Sequence, residues 1–158
     1  MRRFISRLFA LLALLAFLVP PVAAAVMKLR GGRPAPADFD PTADEVDMQA
    51  IFEGFDLRSA AAAFRGGDLL LCYGGGSLDL RDATLDPAGG TLRITSLFGG
   101  MQLIVPGSWP VRVHSTGIFG GVGSEARAAG DGEPALEIEA LSIFGGMGIV
   151  ARETGSVV

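Results

Sequence analysis

From Glu45 onward the chain alternates apolar and polar residues in short runs. Leu78-Asp79-Leu80-Arg81, Leu92-Arg93-Ile94-Thr95, Met101-Gln102-Leu103, Val111-Arg112-Val113-His114 and Leu136-Glu137-Ile138-Glu139 all follow this pattern. A period of two is the mark of a strand with one buried and one solvated face. The runs are bounded by Gly, Pro or turn sequences such as Asp86-Pro87-Ala88-Gly89-Gly90, which stop a strand or reverse it. Only Ser59–Phe64, SAAAAF, has the alanine content to add a helical turn. The pattern predicts an all-β domain over residues 45–154.

A second regularity lies over the first. An aromatic followed by glycine recurs at Phe52-Glu53-Gly54, Tyr73-Gly74-Gly75, Phe98-Gly99-Gly100, Phe119-Gly120-Gly121 and Phe144-Gly145-Gly146, with spacings of 21, 25, 21 and 25 residues. Flanking residues keep the resulting 46-residue period: Val46, Leu92 and Ile138 correspond, as do Leu57, Leu103 and Ile149. Fixed-period self-similarity signals a repetitive architecture. Glycine reaches positive φ without a Cβ penalty, so each pair permits a tight reversal or corner, at Gly145 for example. The aromatics then pack inward as a ladder of Phe52, Tyr73, Phe98, Phe119 and Phe144. The expected fold is a stacked, β-solenoid-like domain. The alternative is an antiparallel β-sandwich, since glycine pairs also suit hairpin turns.

The N-terminal region differs in kind. Leu8–Met27 is 20 residues without a charge, about 30 Å as a helix and enough for one hydrocarbon core. Arg2, Arg3 and Arg7 precede it; Lys28, Arg30 and Arg33 follow. We read residues 1–7 as a basic tail, 8–27 as a transmembrane helix, 28–44 as a Pro/Gly/Asp linker and 155–158 as a C-terminal tail. The partner of the helix is the lipid bilayer, and the protein is expected in the cell membrane as a single-pass protein. In the alternative, Pro20-Pro21 and Ala23-Ala24-Ala25 close a signal peptide and the domain is secreted. Equal cations on both flanks leave the side of the domain open.

Charge and rare residues narrow the chemistry. After residue 33, seven arginines face all 17 acids, a balance that repels phosphate backbones and argues against nucleic acid as a partner. One cysteine and one histidine exclude a disulfide framework and paired-histidine metal motifs. Asp38, Asp40, Asp44, Glu45 and Asp47 cluster without the glycine and glutamate spacing of a calcium loop. His114 falls on the solvent face of its strand, with Ser115 as its only nearby nucleophile. Cys72, in LLLCY, reads as an inert core thiol. Trp109, in Pro-Gly-Ser-Trp-Pro, reads as a cap on the core, the alternative being an exposed binding anchor. No G-x-G-x-x-G opens a helix, so the glycine pairs are building elements rather than a phosphate cradle. We therefore assign no catalytic, cofactor-binding or metal site, and expect a protein that is not an enzyme.

Leu97–Val122, LFGGMQLIVPGSWPVRVHSTGIFGGV, resembles the C-terminal domain of LiaF-like cell-wall-active antibiotic response proteins. The matching parts are Phe98-Gly99-Gly100, the Val-Pro-x-x-Trp-x-Val pattern at Val105, Pro106, Trp109 and Val111, the second Phe-Gly-Gly at Phe119, and LSIFGGMGI at Leu141–Ile149. The resemblance covers about Gly67 to Arg152. It implies a repetitive β domain, often on a membrane protein, with no catalytic residues to carry over. It also implies regulation of the cell-envelope stress response through contact with a membrane or envelope protein. This chain has one apolar segment, where LiaF has several. A self-assembling scaffold at the membrane is the alternative function.

Overall fold

The computed structural model describes residues 39–153. The basic tail, the apolar segment, most of the linker and the C-terminal tail lie outside the described residues. Among the described residues no helix is long and apolar enough to cross a membrane.

Seven strands follow one another: β1 (Glu45–Ile51), β2 (Gly54–Arg58), β3 (Gly66–Cys72), β4 (Gly74–Asp79), β5 (Gly90–Pro106), β6 (Val111–Ser124) and β7 (Leu136–Arg152). All pairs are parallel. β1, β3, β5, β7 and β6 lie side by side in one ladder, and β2, β4, β5, β7 and β6 in the other. The three long strands pass through both ladders and turn at their Phe-Gly-Gly. The first two rungs are split there, into β1/β2 and β3/β4. The result is an all-β domain built on one curled, parallel sheet, half of a barrel in section. The 46-residue period is the physical register of β5 on β7: Leu92 lies on Ile138, Phe98 on Phe144 and Leu103 on Ile149.

The core fills the curl. Successive rungs place Met48, Leu69, Ile94 and Ala140 in one inward column, and Leu57, Leu78, Leu103 and Ile149 in another, all buried. Each fully buried Leu or Ile contributes about 1.5–3 kcal/mol relative to an exposed one. The connecting segments close the open side with Ala61, Phe64 and Trp109. Trp109 is buried and its ring stacks on Phe64 with centroids 6.1 Å apart, so it caps the core as expected. On the outer face Arg93 reaches both Asp68 (3.4 Å) and Glu139 (2.9 Å) on the neighbouring rungs. These pairs are exposed and add at most about 1 kcal/mol each.

Several expectations need correction. The glycine pairs make corners within parallel strands, not hairpins, because the chain reaches its next rung through a connection on the open side. SAAAAF is not helical: its backbone bonds outward, with the N–H of Ala60 donating to the Pro41 carbonyl and that of Phe64 to the Thr84 carbonyl. Residues 39–44, read as the end of the linker, are bonded to the domain; the N–H of Arg65 donates to the Asp44 carbonyl and that of Ala63 to the Asp44 carboxylate.

Chain order and spatial order also part at the end of the stack. β6 follows β5 in sequence, yet β7 lies between them. The inward positions explain why. β7 offers Leu136, Ile138, Ala140, Met147 and Ile149, all buried, and needs a rung on each side to cover them. β6 sets Val111, Val113 and Val122 against Leu136, Ile138 and Met147, but the exposed Ser115 and Ser124 against Ala140 and Ile149. The less apolar strand takes the end.

Candidate functional site

The corner residues form a continuous stack of rings. Phe52 lies on Tyr73 (centroids 5.0 Å apart), Tyr73 on Phe98 (4.5 Å), Phe98 on Phe144 (4.8 Å) and Phe144 on Phe119 (4.8 Å), each pair within 12° of parallel. The expected ladder exists, with two corrections. Its order is that of the strands in space, so Phe144 precedes Phe119. Its rings lie on the outside of the corner, with Phe52 59%, Phe144 41% and Phe119 67% exposed.

Backbone packing at the corner turns the rings outward. A Cβ on Gly99 would stand 1.7 Å from the Gly74 carbonyl oxygen, one on Gly145 1.7 Å from that of Gly99, and one on Gly120 1.7 Å from that of Gly145. The rungs touch backbone to backbone through this glycine column, leaving no room inside for a ring. At the β1 end of the column stands Glu53, exposed, in the place that glycine holds on every later rung. Phe52 and Tyr73 themselves take positive φ, at 57° and 54°, a strained conformation for aromatic residues. Two further exposed apolar residues lie on the same strands: Ile118, 59% exposed, next to Phe119 on β6, and Leu141, 37% exposed, three residues before Phe144 on β7.

The polar candidates stand apart from one another. His114 is exposed on β6, beside Glu139 in register, and makes no hydrogen bond among the described residues. Cys72 is buried, and burial pushes its thiol pKa up, which disfavours the nucleophilic thiolate. Of the acidic cluster, Asp40 accepts from the N–H and hydroxyl of Thr42, which hold its carboxyl below its ordinary value, and Glu45 faces Arg65 at 3.6 Å. Among the described residues no three His, Cys, Asp or Glu side chains converge on one point; Asp38 lies outside them. A shallow groove of about 710 Å³ runs between Gly89–Thr91 and Asp131–Ala135. Its cation, Arg112, donates to Glu137 (2.8 Å) and to the Gly130 carbonyl (3.1 Å).

Two polar features were not foreseen. The hydroxyls of Ser96 and Ser142 are buried on adjacent rungs without a hydrogen-bond partner among the described residues; their positions match the inward Leu71 of β3, so the strand period did place them inside. Asp79 and Arg81 form a bidentate pair, Arg81 Nε and Nη2 donating to the carboxylate at 2.8–3.1 Å. Burial raises the Asp79 pKa, but the hydrogen bonds and charge of Arg81 outweigh it and hold the carboxyl below its ordinary 3.8. A depressed carboxylate pKa stabilises the fold above the unfolded value of about 3.9, and that contribution is lost as pH falls below it. Asp79→Asn is therefore expected to cost about 1.5–3 kcal/mol at pH 7. Urea titrations of both proteins should show the difference shrinking below about pH 4.

No family model matches this chain, and neither does any curated protein or solved structure. The likeness to LiaF-like proteins rests on the motifs quoted above.

Proposed function

We propose that this chain is a non-enzymatic contact module: a β-solenoid-like domain, held at the membrane by its N-terminal segment, that regulates the cell-envelope stress response by binding another protein. The observation that carries the contact reading is the apolar stripe of stacked rings with Ile118 and Leu141. Soluble monomers rarely leave large contiguous apolar patches in water, and such patches mark interaction sites. Aromatic residues are enriched at the core of protein interfaces relative to the rest of the surface. The envelope-stress context comes from the LiaF-like motifs. Membrane tethering suits a weak surface of this kind, because it raises the effective concentration of a partner in the same membrane.

The test is a reporter of the response to wall-active antibiotics, read in cells lacking the protein. Its loss should shift the reporter at least several-fold for one or more drugs. Deleting residues 1–30, with a new start codon, should release the domain from membranes and reproduce the shift. An unchanged reporter in the full deletion, across several wall-active drugs, would refute the regulatory role.

A further inference from the structure

β6 is the end of the stack, with β7 on one side. On its other side residues 127–129 cover only its start: the N–H of Val111 donates to the Arg127 carbonyl, and the N–H of Ala129 to the Val111 carbonyl. Strand alternation turns the backbone groups of Val113, Ser115 and Gly117 to that same outer side, where no described residue pairs with them. Exposed edges of this kind invite strand pairing unless charge, proline or a break protects them. The opposite edge is protected in this way: β1 and β2 carry Glu45, Asp47 and Asp56, and are broken at Phe52-Glu53. Over Val111–Ser124, β6 carries one charge, Arg112 at its covered start, and no acid, lysine or proline, and it presents the exposed Ile118 and Phe119.

We propose that β6 is a self-association edge: two copies of the chain pair β6 against β6, antiparallel, about a two-fold axis beside Ile118 and Phe119. Three observations select a second copy. First, β6 bends sharply, since a Cβ on Gly117 would stand 2.6 Å from the Gly120 carbonyl oxygen. That bend lies at the middle of the free stretch 113–124, so a half-turn lays bend upon bend, whereas a straight strand could follow one arm only. Second, the same half-turn sets Phe119 against its counterpart and covers the most exposed ring of the ladder, joining two stacks of five rings. Third, the competing arrangements are opposed. Stacking β6 on the next copy's β1 meets residues 127–129 where β1 would begin, and gives an open fibre rather than a closed pair. Pairing β1 with β1 sets acids against acids.

This names one partner for the contact surface proposed above. A monomeric wild type with the reporter effect intact would remove this inference and keep that reading. The test is the protein mass of the full chain in a non-ionic detergent, measured by light scattering across a hundredfold concentration range. Two chains per particle, giving way to one on dilution and never exceeding two, is the expected result. Ile118→Lys and Ile118→Glu should each fall to one chain with the circular dichroism unchanged, and mixing the two should restore a mass of two. As a second readout, a Cys72→Ala/Ile118→Cys chain should form a disulfide-linked dimer on oxidation. A wild type of one chain throughout, a mass that keeps growing with concentration, an Ile118→Lys chain that remains a dimer, or no cross-link would each overturn the proposal.

Discussion

Gly145→Val is expected to leave the domain unfolded under conditions where the wild type is folded. Gly145 has φ +145°, and a Cβ there would stand 1.7 Å from the Gly99 carbonyl oxygen. The conformational strain alone is worth about 1–3 kcal/mol. The clash is with backbone rather than a flexible side chain, so β5 and β7 must separate at the centre of the sheet to relieve it. We expect a total loss above about 4 kcal/mol, at the extreme of single substitutions and close to the whole stability of a small domain. Gly148→Ala is the matched control: nothing lies within 4 Å of the added Cβ, and the change should stay within about 0.5 kcal/mol. Thermal melts of both variants, followed by far-UV circular dichroism, check the pair. Equal melting temperatures for Gly145→Val and wild type would mean that the glycine column does not hold the rungs.

Trp109→Ala is expected to have the next largest effect. The indole is buried and stacked on Phe64, itself fully buried, where the crossover segments close the curl. Removing it leaves a cavity that the short loop between β5 and β6 cannot fill. Truncations of this kind cost about 3–5 kcal/mol, or roughly 10 °C or more in a domain this size. An exposed binding anchor would lose affinity and keep its melting temperature, so the melt separates the two roles.

The strand pattern made much of this fold legible. Period-two alternation marked the buried columns, as at Leu92 and Ile94, and the 46-residue period is the β5–β7 register itself. What the pattern could not convey was the side on which each new rung is added. The exchange of β6 and β7 depends on which of two similar strands can tolerate an open face, and only the contrast of Ser115 and Ser124 with Ala140 and Ile149 hints at it. The aromatic ladder was visible as spacing, but its outward direction was not. That direction follows from glycine backbones meeting across the rungs, which spacing alone does not reveal. The same contact accounts for Phe52-Glu53-Gly54, the one unit that departs from the Phe/Tyr-Gly-Gly pattern and the one at the β1 end of the column. Of the candidate residues, Cys72, His114 and Trp109 each occupy the surroundings expected of them. The apolar stripe was missed because Ile118 and Leu141 are ordinary strand residues until their neighbours are known.

In the proposed function the working surface is the exposed aromatic stripe, and no titratable side chain takes part. Two full-length variants test it in the same antibiotic-response reporter, in cells lacking the wild type and at matched levels of folded protein. Phe119→Ser removes the most exposed ring, and Cys72→Ala/His114→Ala removes the lone thiol and the lone imidazole. Phe119→Ser is expected to behave as the deletion does, while the double variant matches wild type. Full activity in Phe119→Ser together with lost activity in the folded double variant would contradict it.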